Sequence, residues 1–296
     1  MQKDFINIPT LAVVGPGLIG GSVAAALKKA NAVKHVVGVG SDQADLNMAQ
    51  SLGLIDTVAS LPHAAAQADI ILLATPVGAM PSLLKELKKH LHENCIVTDV
   101  GSTKKNIVHQ AEKILQDSFN QFVPAHPIAG AEKTGPKAAS SKLFDGKNVV
   151  LTPTNKTNKT AQEEVVKMWV ACGARVLVMS PNEHDEILAS VSHVPHFLSS
   201  VYMWQVASAF NSDLRLTLAG TGFQDFTRIA AGSAEVWRDI FLSNKEAVLN
   251  ELKQVQKAFA HAEKTLIESD ERALYDFLEK AALARRLWAS RSGYGE

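Results

Sequence analysis

The chain has only two cysteines, Cys95 and Cys172, and each stands inside an apolar segment. That usage argues against a disulfide framework and fits buried free thiols in a reducing compartment. Excess charge of either sign is also missing, because 30 basic residues balance 30 acidic ones. Nucleic acid and an anionic membrane surface are therefore not expected as main partners. No apolar run approaches the roughly 18 residues of a spanning helix, and the opening "MQKDFINIPT" lacks an apolar core of signal-peptide length. Repeats and low-complexity tracts are absent. What remains is a chain of 296 residues, 46% hydrophobic and 20% charged. It has the composition of a soluble globular protein and the length for one large domain or two ordinary ones. A cytoplasmic location is expected.

The first half alternates short apolar runs with helical patterns. Residues 11–14 read as a strand and lead through a glycine-rich turn into the helix-like "LIGGSVAAALKKA". "HVVGV", "DIILLATP", "NCIVTDV" and "FNQFVPA" follow as further strands separated by helices, and "KNVVLTP" and "ARVLVMS" are expected to extend the same sheet. Continuous apolar runs of this kind indicate parallel strands covered on both faces. After Pro181 the pattern becomes helical, with Leu242, Val248, Leu249, Leu252 and Val255 at three- and four-residue spacing. The expectation is an α/β, Rossmann-type doubly wound, mainly parallel sheet over 1–180, followed by an all-helical domain over 181–296. The apolar helical surface of the second half predicts a homodimer through it.

"LAVVGPGLIGGS" carries Gly15, Gly17 and Gly20 in G-x-G-x-x-G spacing, directly after a strand and directly before a helix. The first glycine permits a tight turn, the second lets backbone approach a pyrophosphate, and the third lets helix and strand pack closely. The helix N-terminus, with Leu18 and Ile19 in its first turn, then offers unpaired N–H groups to the phosphates. Thr75 and Pro76 end the run "DIILLATP" at the same edge of the sheet and are also assigned to the cofactor. Where the second strand should supply an acid for the ribose hydroxyls stands Gly40, followed by Ser41 and Asp42. Asp42 is close enough to compensate, so NAD is expected, with NADP left open.

Ligands of open parallel sheets sit beyond the carboxyl ends of the strands. "TDVGSTKK" brings Ser102, Thr103 and Lys104 there, and "VPAHPIAGAEKTG" brings His126, Glu132 and Lys133. Pro127 holds His126 in extended backbone and stiffens its aim. An imidazole titrates near neutrality and accepts a hydroxyl proton as hydride departs. Ser102 is placed to hydrogen-bond that imidazole or the substrate hydroxyl. Glu132 and Lys133 are read as a pair at the pocket rim. His184, in the first turn of a helix, reads as structural.

"GPGLIGGS", "DVGSTK", "HPIAGAEKTG", "SHVPH" and "GFQDFTRIA" occur in one order between about residues 10 and 285. That series closely resembles the prephenate/arogenate dehydrogenase family of tyrosine biosynthesis. The resemblance implies a Rossmann-type domain followed by a helical dimerisation domain. It also implies oxidative decarboxylation of prephenate to 4-hydroxyphenylpyruvate, or of arogenate to tyrosine, with hydride passing to NAD(P). On that resemblance His126 receives the ring-hydroxyl proton and Ser102 holds the hydroxyl in register. Arg228 binds the substrate carboxylate, while His196 and Trp237 lie near the substrate. Two positions depart from the family pattern: Ala131 stands where relatives often carry threonine, and Gln224 where a lysine is frequent. Gln224 bears on how the substrate side chain is read, a keto acid in prephenate and an ammonium-bearing group in arogenate.

His193 and His196 are one helical turn apart, a metal-capable spacing, but no H-E-x-x-H pattern or third ligand cluster accompanies them, so no metal is expected. A 3-hydroxyacid dehydrogenase of similar architecture would need a G-x-x-x-K helix, which is missing. A non-catalytic NAD(H) sensor would not need His126, Ser102 and Arg228 together. No ACT-type module or fused mutase is expected, so any feedback by tyrosine would act at the active site.

Overall fold

The apolar runs at 11–14, 70–73 and 96–99 place alternate side chains on opposite faces of a sheet and bury both sets. The structure, a computed structural model, describes residues 6–131 and 133–292. Its larger sheet holds β1 (Ile8–Val14), β2 (Val33–Val39), β3 (Thr57–Val58), β4 (Ile70–Leu73), β5 (Ile96–Asp99) and β6 (Phe122–Val123). Their spatial order is β3-β2-β1-β4-β5-β6, and every pairing is parallel. Leu11, Val13, Ile70 and Leu72 enter one core, while Ala12, Val14, Ile71 and Leu73 enter the other. This period of two explains why the runs read as continuously apolar rather than alternating.

The crossover helices are α1 (Leu18–Lys29), α2 (Gln43–Ser51), α3 (Leu61–Gln67), α4 (Met80–Leu87) and α5 (Lys105–Leu115). Helices α1 and α2 pack on the first core, and α3, α4 and α5 on the second. The strand order reverses between β1 and β4, and that switch point is where a doubly wound sheet leaves a crevice for ligand.

One expectation needs correcting. The segments "KNVVLTP" and "ARVLVMS" do not extend the main sheet. They form β8 (Asn148–Leu151) and β9 (Arg175–Val178) of a separate three-stranded sheet with β7 (Ala125–Pro127), and β7 runs antiparallel to β8. The expected strand "FNQFVPA" is likewise divided, with a 3-10 turn over Gln116–Gln121, two residues in β6, and a departure at Pro124. Proline has no N–H for a ladder, and side chains replace the ladder just beyond it. The Ala125 N–H donates to Asp99 Oδ1 at 3.1 Å, and Lys104 Nζ donates to the Ala125 carbonyl at 2.8 Å. Between β8 and β9 lies α6 (Lys159–Ala171), whose N-cap Asn158 accepts from the Thr160 and Ala161 N–H groups at 2.8 and 3.2 Å.

After Pro181 the described chain is helical, as its periodicity indicates. The helices are α7 (Pro181–Leu188), α8 (Val194–Ala207), α9 (Ser212–Thr217), α10 (Thr221–Thr227), α11 (Ala234–Ser243), α12 (Lys245–Ile267) and α13 (Glu271–Ser292). A π turn over Ala189–His193 joins α7 to α8, whose first turn carries Pro195. Two compact units are distinguished by contact, Met1–Lys245 and Glu246–Glu296. Helices α7 to α11 therefore belong to the same unit as the sheets, although the sequence changes texture near 180. Among the described residues no helix is long and apolar enough to cross a membrane.

Gly20 shows how tightly β1 and α1 are joined. A Cβ there would meet the Gly15 carbonyl oxygen at 2.4 Å and Ala74 Cβ at 2.9 Å. Gly20→Ala should therefore destabilise the fold by about 1–3 kcal/mol through overpacking, read as a lowered Tm. An unchanged Tm would mean that α1 lifts from β1 without penalty.

Candidate active site

The loop between β1 and α1 is shaped by its glycines. Gly15 has φ +88°, and a Cβ on it would come within 2.6 Å of the Ala74 carbonyl oxygen. A side chain there is excluded twice, by backbone conformation and by space. Gly17 is the N-cap of α1 and receives no side-chain cap, so the first N–H groups of α1 are left for a ligand. Around this loop lies a cavity of about 1260 Å³. Every residue assigned from sequence to the cofactor lines it except Gly20, which is buried beneath.

The cavity fits a dinucleotide. Thr75 Oγ1 is buried beside the loop without a hydrogen-bond partner, a polar atom that a ligand would satisfy. At the end of β2, Asp42 caps α2, accepting from the Ala44 and Asp45 N–H groups at 2.7 and 3.1 Å. Among the described residues, Asp42, Asp45 and Glu235 are the charged ones on the cavity wall, and neither lysine nor arginine lines it. Acids without cations suit ribose hydroxyls and repel a 2′-phosphate.

Ser102 lines the same cavity, in the turn between β5 and α5. Val236 and Ile240 of α11 line it as well. Thr103 Oγ1 and Ser243 Oγ share a hydrogen bond of 2.9 Å, which fastens the end of α11 to the turn carrying Ser102. Trp237 lies between those two wall residues in sequence. It stacks on His196 of α8 with ring centroids 3.5 Å apart and an interplanar angle of 16°. The stack is crowded against Gly232, where a Cβ would lie 2.8 Å from Trp237 Nε1. Burial pushes His196 down to about 4, so its ring is neutral at pH 7.

His126 is buried in β7 and is not on the cavity wall. No hydrogen bond joins it to Ser102 among the described residues. Its Nδ1 instead lies 2.8 Å from His184 Nε2, and His184 Nδ1 lies 2.8 Å from Asp185 Oδ1. His184, read from sequence as a structural residue of a helix start, is thus the partner of the proposed base. Asp185 also accepts the Lys104 N–H at 2.7 Å and the Lys105 N–H at 2.9 Å, capping α5 from α7. The fully buried Lys104 ammonium pairs with Asp99, which accepts the Gly101 N–H at 2.8 Å as well. Burial pushes Lys104 below its usual range, with Asp99 and Asp185 opposing that shift. Burial also holds His126 well below its usual range, and His184, Lys104 and His193 add to the effect. Asn244 Nδ2 donates to the Asp185 carbonyl at 2.7 Å and meets His193 Nδ1 at 3.1 Å.

The remaining sequence candidates lie away from this cavity wall. Arg228 is exposed in the 3-10 turn that follows α10, and Gln224 is exposed on α10 itself. Ser199 Oγ of α8 donates to the Phe226 carbonyl at 2.9 Å, which ties that turn to the helix bearing His196. Lys133 is exposed just before the lining residues Thr134 and Gly135. Glu132 lies outside the described residues.

Asp99, His184, Asp185 and Asn244 were not singled out as functional from sequence. The adjacent pair His184-Asp185, three residues after Pro181, was the one available signal, since both are buried in α7 between the exposed Glu183 and Glu186.

Comparison with known proteins agrees with this geometry. Residues 23–178 match the prephenate dehydrogenase nucleotide-binding domain, and residues 180–280 match the prephenate dehydrogenase dimerization domain. The prephenate dehydrogenase of Bacillus subtilis is 37% identical over 244 residues, which are 81% of this chain and 66% of that protein. The cyclohexadienyl dehydrogenase of Zymomonas mobilis is 34% identical over 245 residues, covering 81% of this chain and 82% of its own. The crystal structure of prephenate dehydrogenase from Aquifex aeolicus, in complex with hydroxyphenyl propionate and NAD+, has a TM-score of 0.89 to this chain. It is 33% identical and covers 95% of this chain and 98% of that one. With its dinucleotide cradle, its buried histidine and its helical second half, the chain belongs to the prephenate dehydrogenase family.

Proposed function

We propose that this protein catalyses the oxidative decarboxylation of prephenate to 4-hydroxyphenylpyruvate, or of arogenate to tyrosine. The observation that carries the reading is Ser102 on the wall of a dinucleotide-sized cavity, joined through Lys104 to the strand that holds the buried His126. Gly15, Gly17, Leu18 and Ile19 would hold the pyrophosphate of NAD, and Thr75, Pro76, Ser41 and Asp42 would hold the rest. NAD, when bound, supplies the acceptor for the hydride that leaves the hydroxyl-bearing ring carbon.

The residues of this chain supply alignment and proton handling. His126 takes the hydroxyl proton at Nε2, because Nδ1 is already engaged with His184. Ser102 holds the same hydroxyl. Loss of carbon dioxide from the opposite ring carbon leaves its bonding electrons in the ring, which becomes aromatic. His126 then returns its proton to the phenolate oxygen, so the cycle takes up and releases no net proton. Arg228 is assigned to a substrate carboxylate, which its planar fork suits. The His196–Trp237 stack flanks the substrate, and Gln224, Glu132 and Lys133 read its side chain. The division of labour falls at residue 180, with the cofactor and the ring hydroxyl held by 1–180, and the carboxylate contact, the His196–Trp237 stack and dimerisation supplied by 181–296. Exposed Trp204, Phe210 and Leu218 support a homodimer formed through the second half. The two buried thiols, whose ionisation burial opposes, support a cytoplasmic setting.

Initial rates over prephenate and arogenate, each with NAD and with NADP, test this reading. Reduced cofactor should form together with carbon dioxide, and faster with NAD because, among the described residues, only acids charge the cavity wall. Inactivity with both acids would refute the assignment.

His126→Asn should keep a hydrogen-bonding shape but lose the base, lowering kcat by roughly 10²–10⁴-fold. Protonation removes the lone pair that the base needs, so activity is lost as pH falls. Because His126 is held well below its usual range, the acid limb of kcat/KM should lie well below pH 6.5. A limb at or above that value would remove His126 from the role.

A further inference from the structure

The contacts of His126 determine more than its position. Both oxygens of Asp185 already accept backbone N–H groups, from Lys104 at 2.7 Å and from Lys105 at 2.9 Å. Those donors are fixed, so Asp185 acts as an acceptor on every side. His184 Nδ1, 2.8 Å from Asp185 Oδ1, must therefore carry a hydrogen. A neutral His184 then has a bare Nε2. That atom lies 2.8 Å from His126 Nδ1, a separation that needs one hydrogen between the two nitrogens, and only His126 can supply it. The ring centroids are 5.1 Å apart at an interplanar angle of 65°, so the rings do not stack face to face and leave the two nitrogens free to share a hydrogen.

We infer that His184 and Asp185 fix the tautomer of His126, holding its hydrogen on Nδ1 so that Nε2 is the bare atom that receives the substrate proton. The inference deepens the assignment of His126 as the base and rests on that reading. His184 and Asp185 are positioning residues, and the logic is that of an imidazole whose free nitrogen is chosen by the bond made at the other.

The surroundings fit this role. Among the described residues, the charged and titratable groups near His126 are Lys104 from the β5–α5 turn with its partner Asp99 at the end of β5, His184 and Asp185 from α7, and His193 from the π turn. Burial pushes His193 down to about 4, so it is neutral. Its Nδ1 faces the Asn244 amide, a donor, and therefore offers no competing proton there. When His126 takes a proton at Nε2, its Nδ1–H still points at the lone pair of His184, and the Asp185 carboxylate balances the new charge against Lys104. Without the relay the buried imidazole would be free to place its hydrogen on Nε2, which leaves no base facing the substrate.

Ring ¹⁵N shifts of histidine-labelled protein, from two-bond proton–nitrogen correlations near pH 7.5, test the inference directly. The His126 resonance, assigned by its loss in His126→Asn, should show a protonated Nδ1 and a bare Nε2. The opposite pattern would overturn it. His184→Leu removes the acceptor and should lower kcat by roughly 10²–10⁴-fold, with NAD affinity and KM nearly unchanged and the Nδ1–H signature lost. His184→Gln, whose carbonyl can accept from Nδ1, should recover a substantial part of both. Asp185→Asn places an amide donor within reach of His184 and should shift His126 toward the Nε2–H form. A kcat within a few-fold of wild type in both His184→Leu and Asp185→Asn would refute the relay. Should the wild-type protein turn over neither acid, the functional reading fails, while the ring shifts still decide the tautomer.

Discussion

The buried ammonium of Lys104 is the contact on which the rest of the site depends. It pairs with Asp99 at the end of β5 and donates to the carbonyl of Ala125, the residue before His126. Its own backbone N–H donates to Asp185 of α7. One residue thereby joins the end of the parallel sheet, the start of the smaller sheet and the first helix of the second half. Removing one partner of a buried pair leaves an uncompensated charge, at a typical cost of about 3–5 kcal/mol. That is a large share of the stability of an ordinary domain. The arrangement therefore has few alternatives, and the imidazole one residue away inherits its rigidity.

The same contact reconciles two demands that conflict at the edge of the sheet. A strand leaving a parallel ladder exposes N–H and carbonyl groups that must be satisfied when buried. Asp99 and Lys104 satisfy those of Ala125, so the chain can turn out of the large sheet at Pro124 and run antiparallel to β8. His126 is carried out of the plane of β5 by that turn and brought to α7. A histidine on a continued parallel strand would have met a different neighbour.

Electrostatically, the site separates into two regions. Among the described residues the cofactor cavity carries acids and no cations on its wall, which favours a dinucleotide bearing free ribose hydroxyls. Behind it the charges come as opposed groups, Lys104 against Asp99 and Asp185, with His126, His193 and His196 all held neutral by burial. Neutral imidazoles in a dry setting accept protons and stack on aromatic rings without the cost of a buried cation.

Much of this was legible in the sequence because it depends on local patterns. Residue periodicity marks strands buried on both faces and, past Pro181, helices. The spacing of Gly15, Gly17 and Gly20 follows from what the backbone of a single turn can do. Pro127 marks His126 as held in extended backbone. The tertiary structure alone decided which groups the buried polar atoms meet. His126 and His184 are 58 positions apart, and Lys104 and Asp185 are 81 apart. No period links such residues, because the requirement that joins them is that a desolvated donor must find an acceptor, wherever along the chain that acceptor lies. The sequence by itself determined the doubly wound architecture, the nucleotide cradle and the imidazole. The fold decided that β8 and β9 form a sheet with β7, that Ser102 reaches the cavity without bonding His126, and that His184 meets His126.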